Sequence, residues 1–316
     1  MQPQQNVPSH RLFFKRLRAL PLICLLLVFE SSVLCGEENR GVSDPSGVSD
    51  VVQLDEKDLD ESSGLGISNR RSGFFWSHND SGDEARLFAF DRTGKKTGQV
   101  QLKSADFDDW EDMASFVHQG VPRLLIADSG DNDSNRSRVL LHLFDEPDPT
   151  QKTKLGDREI QTLKVTYEDG PRDCEAVAVD VPRGVIILVT KTKLPLCGVY
   201  TIPLPVRDES GGDAKVTARN VKLLPIPMVT ALDIDATNGD LWLVSYFHTL
   251  CFRCKDRKMS LQRQLAAMPD TYELPRWKQI EAVAVDRAQN VWVTSEGKHA
   301  PLGRLSPESL AGQRKP

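Results

Sequence analysis

Apolar residues along this chain fall in short runs of four to six, rich in β-branched and aromatic side chains and bounded by Gly, Asn, Asp or Pro. Runs of that length and composition predict buried strands. The clearest are Phe74–His78, Leu124–Ala127, Val185–Thr190, Leu241–Ser245 and Val291–Thr294. Each comes about a dozen residues after an acidic-then-apolar phrase, and that phrase recurs five times: 61–67, 110–114, 174–179, 229–234 and 280–285. The third and fifth copies share the string Glu-Ala-Val-Ala-Val-Asp. With Glu61, Glu111, Glu175, Asp233 and Glu281 as anchors, the spacings are 50, 64, 58 and 48 residues. This period suits a four-stranded propeller blade and is too long for a leucine-rich or ankyrin unit. Third runs (87–91, 139–143, 198–202) and fourth runs (97–102, 160–167, 216–224) follow in the early repeats, and only 259–267 has a modest helical pattern.

The last repeat has room for about three strands, while one orphan strand, Val51–Leu54, lies upstream of the first. A strand borrowed from the N-terminus can complete the last blade. The expected fold is therefore an all-β β-propeller of five four-stranded blades, closed by the N-terminal strand, with six blades as the alternative. The expected segments are a signal peptide (1–36), a flexible lead-in (37–50), the propeller (51–306) and a tail (307–316).

The export signal rests on a basic stretch from His10 to Arg18 followed by eleven uncharged residues, Ala19–Phe29. That run is short for a bilayer span of about 20 residues and right for a signal-peptide core. Export to the periplasm or beyond is expected; an uncleaved membrane anchor, or a lipid on Cys35, is the alternative. The 316 residues carry a net charge of −5, and since the first 36 sum to +3 the remainder carries −8. No bulk basic field exists to hold nucleic acid, and a monomer is expected.

Blade geometry gives the chemistry a face. In a four-stranded meander the start of the first strand and the end of the second lie at one edge. The five anchors and the phrases 77–82, 127–132, 190–193, 245–248 and 294–297 thus converge on one channel mouth, and the opposite ends read as tight turns. Five carboxylates near one axis need protons, basic partners or a cation. An all-oxygen set suits calcium, with Asn79, Asp80, Asp128, Asp131, Asn132, Lys191, Tyr246 and Glu296 on the rim. The competing expectation is that each anchor accepts backbone N–H groups of the next blade, and that 128–132 is plain turn chemistry.

The phrases His-Asn-Asp-Ser-Gly, Asp-Trp-Glu-Asp, Ala-Asp-Ser-Gly-Asp-Asn, Asp-Gly-Pro-Arg-Asp-Cys-Glu-Ala and Thr-Ser-Glu-Gly resemble, in order, those of a group of secreted bacterial propeller proteins without assigned function. The resemblance spans about 61–297, with Cys174 where a small residue is expected in that group. More distantly the arrangement is similar to phytase-like, esterase-like and lactonase propellers, which implies calcium held at the channel mouth.

His78 is a candidate general base, because histidine titrates near neutrality. No Gly-x-Ser-x-Gly elbow, His-Glu-x-x-His pair or phosphate loop is present. Cys174 and Cys197, both placed on the polar face, are expected to form a disulfide. Cys251 and Cys254 are a local disulfide, free thiols or a redox pair, and Asn79-Asp-Ser81 matches a glycosylation sequon. Two functions remain open: a calcium-binding propeller that takes a small molecule, glycan or protein partner, and a calcium-dependent hydrolase of esterase, lactonase or phosphoesterase type.

Overall fold

The computed structural model describes residues 48–103, 108–192, 195–206 and 212–305. The expected signal peptide, all of the lead-in except 48–50, and the C-terminal tail lie outside the described residues.

The chain forms a five-bladed ring. Strand β1 (Val48–Gln53) precedes the first blade, β2 (Ser62–Ile67), β3 (Phe74–Asn79), β4 (Arg86–Asp91) and β5 (Lys96–Leu102). The second blade is β6 (Trp110–His118), β7 (Val121–Asp128), β8 (Val139–Asp145) and, after an excursion through β9 (Lys152–Leu155), β10 (Ile160–Tyr167). The third is β11 (Cys174–Asp180), β12 (Val185–Thr190), β13 (Cys197–Pro203) and β14 (Gly212–Leu224). The fourth is β15 (Val229–Ile234), β16 (Leu241–Ser245), β17 (His248–Phe252) and β18 (Asp270–Glu273). The last holds β19 (Ile280–Val285), β20 (Val291–Ser295) and β21 (Pro301–Leu305). Strand β1 pairs antiparallel with β21, Val48 opposite Leu305 and Val52 opposite Leu302, and completes that blade as the orphan strand predicts.

The inner strands β2, β6, β11, β15 and β19 neighbour one another around the axis. Crowding there favours small residues: Gly64 and Gly66 in β2, Ala176 and Ala178 in β11, Ala282 and Ala284 in β19. Larger side chains fill the wedges that open outward, giving five hydrophobic cores, each shared by two adjacent blades. The core that closes the ring sets Leu54, Phe75 and Phe90 of the first blade's side against Trp292 and Leu302 of the last. Phe75 and Trp292 meet edge-on with centroids 4.9 Å apart.

Two edge features go beyond the predicted pattern. Strand β9 leaves the second blade to pair parallel with β5 of the first, which accounts for the longest repeat spacing of 64 residues. Strand β14 begins at Gly212, earlier than the predicted 216, and its first half pairs parallel with β10. The second and third blades therefore share one eight-stranded sheet. The helical pattern at 259–267 yields a single turn, Leu261–Gln264, capped by Ser260. No helix among the described residues is long and apolar enough to cross a membrane.

Candidate functional site

Every inner strand carries an irregularity at the same height. Where each first strand pairs with its second, the register skips one residue: Ser63, Glu111, Glu175, Thr230 and Glu281. A bulge leaves its extra residue outside the ladder and re-aims the side chain, here at the channel mouth. The equivalent ring positions thus hold three carboxylates and two hydroxyls, which corrects the five-acid ring. Glu61 lies two residues before its bulge and is exposed. Asp233 lies three residues past its bulge, further along the channel.

The hydroxyls stitch blades together. Ser63 Oγ donates to Glu111 O (2.6 Å), and Thr230 Oγ1 donates to Ile280 O (3.0 Å). Asp233 also stitches: its Oδ2 accepts Val285 N–H of the next blade at 2.7 Å, and Oδ1 accepts Ile234 N–H. The stitch that reaches two other blades is a residue that sequence reasoning passed over. Asp112 is fully buried, and its Oδ2 accepts Val177 N–H (2.8 Å) and Leu232 N–H (3.2 Å), joining the second blade to the third and fourth across the axis.

The remaining acids gather at the mouth. One ligand oxygen each from Asp80, Asp109 and Glu111 lies within 4.8 Å of the other two, and so do those of Glu111, Asp173 and Glu175. Glu111 belongs to both groups. Asp109 and Asp173 sit just ahead of β6 and β11, two residues before the bulged Glu111 and Glu175 whose carboxylate oxygens they meet. The repeated Asp-x-Glu in 109–111 and 173–175 is the sequence signal that could have found Asp109 and Asp173. Gly130 makes the convergence possible: a Cβ there would collide with both Asp109 Oδ2 and Glu111 Oε1.

Burial and mutual repulsion raise the proton affinity of this cluster. Burial first, then Asp109, pushes Asp80 up to about 8. Burial and the neighbouring carboxylates hold Glu111 well above the usual carboxylate range. Burial lifts Glu175 to about 7, although Lys191 opposes it. The Lys191 ammonium lies 2.8 Å from Glu175 Oε2 and 5.3 Å from the Tyr246 ring centre. Tyr246 donates to Glu281 Oε1 at 3.1 Å, and burial together with Glu296 lifts Glu281 to about 7.

Other rim candidates serve the scaffold. Asn79 Oδ1 accepts the Asp60 and Glu61 N–H groups, its amide nitrogen donates to Asp58 O and Asp83, and the side chain is buried, which leaves the sequon no room for a glycan. Asp128 is buried against Arg136 (2.7 Å), and Asp131 accepts the Asn135 and Arg136 N–H groups. Asn132 is exposed on the same loop. These contacts are the turn chemistry expected as the alternative. His78 is fully buried, with Nδ1 2.9 Å from Asn79 O and its ring edge-on to Trp110, and burial lowers its pKa to about 4. It faces the sheet interior, away from any substrate at the mouth.

The disulfide expectation is corrected. Cys174 and Cys197 are free thiols in β11 and β13, on either side of β12, with Thr190 opposite Cys174. Two strand spacings separate them, roughly 9–10 Å, beyond the reach of a disulfide. Burial pushes both thiols up to about 12. Cys251 and Cys254 are also free.

No family model and no curated protein matches the chain. Among solved structures, the major allergen Mala s 1 of Malassezia sympodialis is similar over 82% of this chain and 96% of its own, at 11% identity and a TM-score of 0.53. The soluble aldose sugar dehydrogenase of Escherichia coli, in its apo-form, aligns over 82% and 99% at 11% identity with a TM-score of 0.48. A chain of a nidogen/laminin complex aligns over 75% and 73% at 14% identity with a TM-score of 0.44. The likeness to the allergen is one of fold.

Proposed function

We propose that the protein is an exported propeller, allied by its mouth phrases to the secreted bacterial group. In this reading it binds a divalent cation, calcium first, among Asp80, Asp109, Glu111, Asp173 and Glu175, and the cation and its rim receive an oxygen-rich small molecule, glycan or protein partner. The observation that carries this reading is the pair of carboxylate triads sharing Glu111. Calcium–oxygen distances of about 2.3–2.6 Å need donors no more than about 5 Å apart, and both triads satisfy this. The donors are all carboxylate oxygens, without the imidazole or thiolate that zinc prefers.

The hydrolytic alternative keeps the cation but not His78 as its base, since that ring is sealed beneath the mouth. Lys191 and Tyr246 then act as rim donors that orient an oxyanion beside the cation.

Thermal melting in millimolar calcium and in chelator tests the proposal. A ligand at a hundredfold excess over Kd adds about 2.7 kcal/mol, so calcium should raise the melting temperature by several degrees. Glu111→Gln, which touches both triads, should abolish most of that rise while leaving a folded protein. A melting curve indifferent to calcium, with no heat of binding by calorimetry, removes the cation and the recognition built on it.

A further inference from the structure

The opposite end of the channel, where the sequence shows only turns, holds a cavity of about 540 Å³. All five inner strands build it, through Ile67, Phe116, Val179, Ile234 and Val285 at their last turns of ladder. This volume is that of a small organic ligand, and apolar walls with a few convergent polar groups are the usual form of such a site. Asp112 and its bonds to Val177 and Leu232 cross the axis between this cavity and the acidic mouth.

Guanidinium groups outnumber carboxylates in the lining by three to two. Arg92, Arg257 and Arg287 come from three different blades and line the cavity. Among the described residues no carboxylate is ion-paired with any of them. Two of the guanidinium groups are held by neutral oxygens: Arg257 Nη2 donates to Ala236 O at 2.7 Å, and Arg287 Nη2 donates to Asn69 Oδ1 at 3.2 Å. Such anchors fix the forks while leaving further N–H groups for a guest. The two acids in the lining are already engaged. Asp233 accepts two backbone N–H groups, and Asp286 accepts the Ala288 and Asn290 N–H groups, the Asn290 amide and the Trp292 indole. The polar floor is likewise satisfied, Ser115 donating to Ile67 O and accepting from Asn69. The unspent capacity is therefore apolar wall plus cationic rim.

We infer that this cavity is a binding site for an organic monoanion with an apolar body, such as an aryl or alkyl carboxylate, its carboxylate at Arg257 and Arg287 and its body against Phe116, Val179 and Ile234. A guanidinium fork matches the two oxygens of a carboxylate, and Phe116 supplies a ring for aromatic or alkyl contact. The inference is independent of the cation at the other mouth.

Calorimetric titration of the full chain with naphthalene-1-acetate and with decanoate tests it, using naphthalene-1-acetamide as the uncharged counterpart. The acids should bind, and naphthalene-1-acetate at least tenfold more tightly than its amide. Arg257→Gln with Arg287→Gln should erase that preference without moving the melting temperature by more than a few degrees. Val117→Asp is a second variant, placed at a wall residue that is 37% exposed. It should repel both acids and leave the amide bound, so a fold defect in the arginine variant does not shelter the inference. Chelator should change none of these affinities. Failure of both acids to bind, equal affinity for acid and amide, or a preference that survives the folded arginine variant would overturn the assignment. So would loss of acid binding in chelator, which would move the ligand to the acidic mouth.

Discussion

A histidine that ends a strand can face solvent or sheet, and Gly64 decides the case for His78. The two are paired in the first hairpin, and a Cβ on Gly64 would collide with the imidazole. The ring enters the space that a side chain would fill and stays neutral, because burial lowers its pKa from 6.5 to about 4. The unfolded chain takes up a proton between those values and the folded one does not. Stability is then complete above about pH 6.5 and declines as the pH falls toward 4, by up to about 3 kcal/mol for a shift of this size. His78→Gln should flatten that acid limb of a denaturant-midpoint-versus-pH curve; an unchanged limb would place the ring in water. The sequence showed a polar phrase, His-Asn-Asp-Ser-Gly, but not the inward turn of its first residue, which depends on a glycine fourteen positions earlier. Asp112 was hidden for a related reason: beside Glu111 it reads as one more acid, and only the bulge separates the mouth-facing residue from the one that turns to the axis.

At the scale of strands, periodicity carried most of the architecture. Apolar runs of β-branched, aromatic and leucine side chains marked the second strand of every blade, and the repeat spacing counted the blades, because each blade must bury the same wedge. What the pattern missed lies at the outer edges, where strands such as β9 and β14 are polar and half-exposed and alternate weakly. The closing strand is the element most exposed to test. Leu54, just past β1, is 1% exposed and donates its N–H to Ala300 O at 3.0 Å. Deleting residues 37–56 should remove several kcal/mol and leave the outer edge of β21 unpaired, whereas trimming 307–316 should be nearly neutral. Leu54→Ala alone should cost about 2–5 kcal/mol. Equal tolerance of the two truncations in urea melts would break the closure argument.

For the whole molecule, the acidic mouth sets a pH dependence opposite in sign to that of His78. Asp80, Glu175 and Glu281 hold protons up to about pH 7–8 that the unfolded chain releases near pH 4. Their contribution is full below about pH 4 and is lost as the pH climbs through 7–8, so the metal-free protein should weaken across that span. A cation replaces those protons and releases them on binding. The calcium-induced rise in melting temperature should therefore be markedly larger at pH 8 than at pH 5, with proton release measurable by calorimetry in two buffers of different ionisation enthalpy. A calcium effect that does not vary with pH would mean that the ion binds elsewhere.

The parallel seams between β5 and β9 and between β10 and β14 have a consequence for the company this protein keeps in concentrated solution. A propeller ordinarily turns one unpaired strand edge outward per blade, each a template for a neighbour's backbone. Here, among the described residues, β9 covers β5, and β10 and the first half of β14 cover each other, leaving β9, β18 and β1 as the outermost strands. Strand β9 carries Lys152 and Lys154, while in β18 and β1 Asp270 is paired with Arg253 and Asp50 with Arg304. Copies that met edge to edge would have to do so along these short strands and their charged side chains. Crowding should therefore leave the rings apart, and replacing the charged residues of these edges, Lys152 and Lys154 among them, would be the shortest route to making them stack.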